Sequence, residues 1–213
     1  MSTALHLAFR EIWRNRGRFA LFSMVIALIT VLILFIAALG EGLGSGNREY
    51  LQKLDADLIV YQDTARLSIA ASRLERDTAR SLLNVQGVRR AGPLGLASSS
   101  VVRSGAKPMD ISLIGVEPGE PGEPPVLEGE QLRRREGNDV IIDRAVALMT
   151  NLRPGDWIVL RSPQGNQEEF FGLQVVGVTD SRKYSLRASV FAPYVTWDKV
   201  RPKADPNAPA DLS

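Results

Sequence analysis

At 213 residues, with 45% hydrophobic and 23% charged positions, the chain has the size and composition of one folded domain beside a shorter accessory segment, not of a disordered polymer. It has no cysteine and a single histidine, His6, which excludes disulfides, thiolate metal centres and cysteine nucleophiles, and any serine–histidine triad beyond the first few residues. Residues 1–40 hold Arg10, Arg14, Arg16 and Arg18 against Glu11, a balance of +3, and the remainder has 22 basic against 23 acidic residues; a nucleic-acid binder concentrates positive charge on its folded body, so nucleic acid is excluded as a partner.

Residues 5–16 place Leu5, Phe9, Ile12 and Trp13 at helical spacing among arginines. This predicts an amphipathic arm on a membrane surface, or a contact for a cytoplasmic partner. Residues 19–39 then run without a charge, a proline or a glycine. Roughly 20 such residues cross a hydrocarbon core as a helix. Ser23 and Thr30, the polar members, can return their hydroxyl bonds to the helix backbone. The arginines just before the run orient it, because positive charge beside a span stays in the cytoplasm. Residues 1–18 are therefore expected inside and residues 41–213 outside, in the cytoplasmic (inner) membrane of a bacterium. The competing reading is a cleaved signal peptide, supported only by the small residues Ala37 and Ala38. Its apolar region would be about 7–15 residues long. An uncleaved anchor fits the longer run.

Beyond the span, residues 41–47 alternate glycine with other residues but lead to no Gly-Lys-Ser/Thr and follow no strand, so they are not a phosphate loop. They read as a flexible exit continued by a short helix through Leu54. Residues 56–61 read as a short strand. Ser72 and Glu75 have capping-box spacing, predicting a helix of about ten residues that ends near Gln86 and Gly87. Strands follow at 94–102 and 109–116. Residues 117–125 carry too much proline and glycine for a regular element and read as an exposed excursion. A buried strand at 140–142 leads to Asp143, which can cap a helix over 144–150. A turn at 153–156 feeds a strand at 157–160, a polar connection leads to a strand at 170–178, and a last strand at 190–192 precedes a terminal helix starting near Pro193. Many short strands with a few short helices indicate an α+β domain. The boundaries expected are a cytoplasmic arm 1–18, a transmembrane helix 19–39, an extracytoplasmic domain 40–201 and a flexible tail 202–213.

No chemistry stands out along this body. Asp55 with Asp57 and Asp139 with Asp143 are close in sequence, but strand-end solvation and capping account for them. Arg133, Arg134, Arg135 and Glu136 read as a solvated loop or a docking patch, as do Arg182, Lys183 and Arg187. Gly115, Gly129, Gly155 and Gly177 fall at strand ends or turns, where positive φ or close approach demands glycine. The sequence assigns no catalytic, metal-binding or cofactor-binding residue, and no cofactor. It reads as a non-enzyme, although carboxylates or lysines leave an envelope enzyme as a remote alternative.

The ordered motifs resemble those of one family. The start, Ala8-Phe9-Arg10-Glu11-Ile12-Trp13-Arg14, is followed by Ala56-Asp57-Leu58-Ile59-Val60, Ile114-Gly115-Val116-Glu117-Pro118, Leu127-Glu128-Gly129, Asp139-Val140-Ile141-Ile142-Asp143, Pro154-Gly155-Asp156 and Gln174-Val175-Val176-Gly177-Val178. In this order, behind one membrane helix, they resemble the first transmembrane helix and periplasmic core domain of MacB/FtsX-type ABC transporter permeases. The resemblance implies a membrane component of an ABC-type export system, with a non-catalytic outer domain that couples ATPase-driven movement to a partner or substrate outside. It implies a cytoplasmic ABC ATPase subunit, a second permease copy in a homodimer, the lipid bilayer and, in some members, an extracytoplasmic membrane-fusion adaptor. Such permeases carry three further membrane helices, so the resemblance also implies three more spans encoded beyond Ser213. The alternative is a stand-alone single-pass adaptor or sensor with an outer binding domain.

Overall fold

The computed structural model describes residues 10, 13–66, 69, 71–75, 77–103, 105 and 107–203, the side chains of 43–49 excepted. The chain divides into two units, Met1–Ser45 and Gly46–Ser213. The arm expected over residues 5–16 lies largely outside the described residues, as does the tail beyond residue 203.

The first unit is dominated by helix α1, Arg16–Gln52. Its stretch Arg16–Gly42, 27 residues and about 40 Å of rise, is long and apolar enough to cross a membrane. Leu21, Met24, Leu28, Leu32 and Phe35 are all exposed, and a helix apolar on every side with nothing packed on it is suited to lipid. Thr30 Oγ1 donates to the Ile26 carbonyl at 2.9 Å, the internal bond its position predicts. The glycines at 40, 42, 44 and 46 do not end the helix, which runs on to Gln52. This corrects the expected flexible exit. Once a long apolar helix exists, adding a residue needs no new nucleus, and the cost of about 1 kcal/mol per glycine is spread along it.

The second unit is built on a seven-stranded sheet: β1 Leu94–Val102, β2 Met109–Val116, β3 Val126–Gly129, β4 Asp139–Asp143, β5 Trp157–Gln164, β6 Gln167–Thr179 and β7 Ala188–Pro193. Helix α2 (Thr78–Leu83) precedes the strands, α3 (Arg144–Thr150) follows β4 and α4 (Tyr194–Val200) follows β7. The order is β3-β6-β4-β7-β2-β1-β5, and β5 pairs with β6 as well. The sheet therefore closes on itself, with β3 attached outside the ring. β2–β7 and β4–β6 are parallel pairs, and the remaining ladders are antiparallel.

Strands β2, β4 and β7 are buried on both faces, which is why their residues are mostly apolar. Ile111, Leu113, Val140, Ile142 and Val190 join one cluster with Ile158, Leu160, Leu173 and Trp197. Ile114, Val116, Ile141 and Phe191, on the opposite face, join a second with Tyr50 and Leu132. Helix α4 lays the Trp197 indole across the cross-strand pair Gly95 and Gly115. A Cβ at either glycine would lie 2.5–2.6 Å from the indole, far inside van der Waals contact. Trp197 Nε1 donates to the Leu113 carbonyl at 3.2 Å, and the Arg201 guanidinium lies 5.4 Å from the ring centre.

Asp143 caps α3 as expected, its carboxylate accepting from Val146 N at 2.8 Å. Several other expectations are corrected. Residues 56–61 form no strand, and Leu58 is 85% exposed; β propensity alone makes no ladder without cross-strand partners and packing. The capping box does not form. Ser72 Oγ instead accepts from Gln62 N at 2.9 Å, and α2 begins at Thr78 and spans only six residues. Residues 117–125 are half-buried rather than an exposed excursion, with Gly122 and Pro124 buried and only Gly119 and Pro125 exposed. Glu120 N donates to Glu117 O and Glu123 N to Glu120 O, making two consecutive turns with proline second and a positive-φ glycine (Gly119, Gly122) third, the type II pattern. The polar connection over residues 161–169 is a hairpin in which β5 and β6 continue to Gln164 and Gln167.

Candidate functional site

Residues 46–52 of α1 belong to the second unit, and within that unit they and Lys53 form a joint rich in polar contacts. Tyr50 is fully buried. Its ring meets Tyr184 edge-on at 5.7 Å and stacks on Phe191 at 6.5 Å. One turn later, the Lys53 ammonium donates to the Ser181 carbonyl at 2.5 Å and lies 3.0 Å from the Asp180 carboxylate. The Lys53 carbonyl in turn accepts from Arg182 Nη1. Arg182, itself buried, donates through Nε to Asp180 at 2.7 Å. Ser189 Oγ donates to the Arg182 carbonyl at 2.5 Å, and Ser189 N donates to Asp143 at 2.8 Å. The helix end is thus joined through residues 180–182 to the central strand β7 and to the cap of α3.

Burial works against the charged form of the Asp180 carboxyl, but the hydrogen bonds from Arg182 and Lys53 outweigh it and hold its pKa below the usual carboxylate range. Burial pushes Asp143 the other way, against the hydrogen bonds it accepts. Burial likewise raises the Tyr50 phenol well above its ordinary value, with the Arg182 charge opposing. Its Oη has no hydrogen-bond partner among the described residues. These shifts accompany ion pairing and burial. The contacts at this joint are those of ion pairing and close packing, which suit it to holding the helix end.

Residues 184–187 close the joint with a two-residue turn. Tyr184 and Arg187 exchange backbone bonds of 3.1 and 3.0 Å, and the central residues Ser185 and Leu186 have φ of 50° and 62°. That is a type I′ turn made without glycine or asparagine. Leu186 is also exposed, so its left-handed backbone is uncompensated by packing. Leu186→Gly is expected to stabilise the protein by about 0.5–1 kcal/mol, seen as a higher urea midpoint at unchanged slope. A lower midpoint would refute the strain.

The residues weighed from sequence are scattered rather than gathered. Asp55 is exposed and 3.9 Å from Arg90, while Asp57 is exposed in irregular chain. Arg133 pairs with Glu130, Arg135 with Glu117 and Glu136 with Lys199. Arg187 donates to Ser98, and only Arg182 belongs to the joint. His6 lies outside the described residues. Of the glycines, Gly115 lies under Trp197, Gly177 against the Glu130 carbonyl, and Gly129 and Gly155 have positive φ. Among the described residues, no group of three or more histidines or carboxylates is placed to hold a metal ion.

A family model for the MacB-like periplasmic core domain matches residues 19–208. The chain belongs to this family. Its body is the periplasmic core domain type of MacB/FtsX-type ABC transporter permeases, preceded by an apolar helix of membrane-spanning length. It is 31% identical over 72 residues to the hemin transport system permease protein HrtB of Staphylococcus haemolyticus, a match covering 34% of this chain and 20% of that protein. The chain thus spans about a fifth of the length of that relative. Among solved structures, the periplasmic region of MacB from Actinobacillus actinomycetemcomitans is similar at 18% identity, over 63% of this chain and 62% of that one, with a TM-score of 0.46. The extracellular domain of the ABC-type transporter YknZ from Gram-positive bacteria is similar at 17% identity, over 64% and 71%, with a TM-score of 0.42.

Proposed function

We propose that this MacB-like chain is the N-terminal part of the membrane component of an ABC-type exporter, in which movement of α1 is handed to a non-catalytic outer domain. In this reading residues 1–18 lie in the cytoplasm and 19–39 span the cytoplasmic membrane. Residues 40–201 form the coupling domain outside, and 202–213 lead away from it. Its partners are a cytoplasmic ABC ATPase, a second permease copy and, outside, an adaptor or substrate. The observation that carries the reading is the joint. An uninterrupted helix ends in a buried aromatic wedge, Tyr50, and an ion-paired bolt, Lys53–Asp180–Arg182, which suits the passing of displacement better than a slack linker does.

The chain has no cysteine, so single cysteines placed at Ser2 and Asn166 report orientation cleanly. In intact cells a membrane-impermeant maleimide is expected to label the cysteine at 166 and not the one at 2; the opposite pattern removes the proposed topology. Purification from native membranes is expected to bring down an ATP-binding subunit. A chain that comes away alone, under conditions that keep other ABC complexes whole, favours the stand-alone adaptor.

A further inference from the structure

A cleft of about 400 Å³ opens beside β6, and its floor is made by residues 170–173. Four consecutive strand residues cannot share one face, because side chains alternate. The cleft therefore lies against the edge of β6. The pairing agrees. β5 covers one edge of β6 from Gln167 to Gln174, but β4 joins the other edge only at Gln174, opposite Asp139. Residues 167–173 thus have a strand on one side only.

The hydrogen bonds fix which main-chain groups face the cleft. Gln174 N donates toward Asn138 O at 2.7 Å, on the β4 side, and Val175 N donates toward Asp156 O at 2.8 Å, on the β5 side. By the alternation of the antiparallel ladder, Phe170 and Gly172 direct their N–H and C=O groups to the same side as Gln174, where no strand meets them. The opposite wall is held back. Gly137 is bound to α4 through Thr196 Oγ1, which donates to its carbonyl at 2.5 Å, and Glu136 pairs with Lys199. Residues 136–138 are therefore drawn to the helix and away from β6.

We infer that this edge receives an extended peptide segment of a partner protein, which adds to β6 as a strand in line with β4. Donors and acceptors repeating at about 6.8 Å along a line are matched by another extended backbone, and not by a helix, whose main chain is satisfied internally. Phe170 is exposed beside the groove, offering an apolar side-chain contact. Glu168 and Glu169 are exposed at its far end; Glu168 already meets Arg161 at 3.3 Å, which leaves a net negative charge there and selects a peptide carrying a lysine or arginine. The chain's own residues 204–213 fit poorly, since they contain two prolines and two aspartates, which break a ladder and meet like charge.

The test uses the full chain in nanodiscs and a displayed library of random octapeptides, followed by the free octapeptide selected from it. The expected result is a binder with a basic residue at one end that slows amide exchange at Phe170 and Gly172. N-methylating alternate residues of that octapeptide should weaken it at least tenfold in one alternate set and not in the other. Gly172→Pro, which removes a cleft-side N–H, and Asn138→Trp, which narrows the cleft while keeping the main-chain carbonyl that accepts from Gln174 N, should each weaken binding at least tenfold. Unchanged amide exchange in the buried strands β2 and β7 would report an intact fold in both variants. A library that yields no binder, or binders indifferent to Asn138→Trp or protecting amides elsewhere, overturns the inference.

Discussion

Replacing Tyr50 with alanine is expected to cost about 3–5 kcal/mol, the range for removing a fully buried aromatic side chain, while Tyr50→Phe is expected to be neutral or to stabilise by about 1 kcal/mol. The contrast follows from the two halves of the residue. The ring is enclosed by Tyr184 and Phe191, so truncation leaves a cavity between two elements. The hydroxyl is buried without a partner, and such a group carries an uncompensated desolvation cost of about 1–3 kcal/mol. Urea unfolding of the full chain in detergent measures both variants. Amide exchange gives the location. In Tyr50→Ala, amides around residues 50–54 should open well before those of β2, β4 and β7, because the ring anchors the helix end but does not build the closed sheet. An alanine variant within 1 kcal/mol of the parent would show that the helix end is not held by this wedge, and the proposed coupling would lose its mechanical basis.

The second large effect concerns Trp197 and the two glycines beneath it. Trp197→Ala is expected to cost about 3–5 kcal/mol. Gly115→Ala is expected to cost about 1–3 kcal/mol, since the new methyl would sit 2.5 Å from the indole. These costs should not add. With the indole gone, the methyl at 115 enters vacated space, so the double variant should be at least 1 kcal/mol more stable than the sum of the singles implies. Strict additivity in a double-mutant cycle would mean that the glycine is required by its backbone and not by the ring.

The parts of this fold that could be read from sequence were those whose signals are local. The span at residues 19–39 declared itself by composition, Asp143 by its place before an apolar helix, and β4 by the β-branched run Val140-Ile141-Ile142. The misreadings share a cause, which is that the deciding partner lay far away in the chain. Residues 56–61 have strand composition but pair with no strand, and composition alone makes no ladder. Ser72 spends its oxygen on Gln62 N, leaving the capping box empty. The turns of residues 117–125 look exposed by composition, yet Gly122 and Pro124 are buried. The joint was hidden for the same reason. Lys53 and Asp180 are ordinary charges until the fold brings them to 3.0 Å. Tyr50, the first aromatic residue after the apolar run, was the one sequence signal that marked it.

The place of β7 in the sheet has a consequence for how the chain is made. Among the described residues it is the last strand in sequence, yet it lies between β2 and β4, so the ring has a gap at its centre until Ala188–Pro193 has been synthesised. At about 5–20 residues per second, β1 to β6 spend seconds as an incomplete sheet whose two open edges, on β2 and β4, are both strongly apolar. The body therefore forms late and all at once, and a nascent chain stopped short of residue 188 would expose two sticky edges to its neighbours.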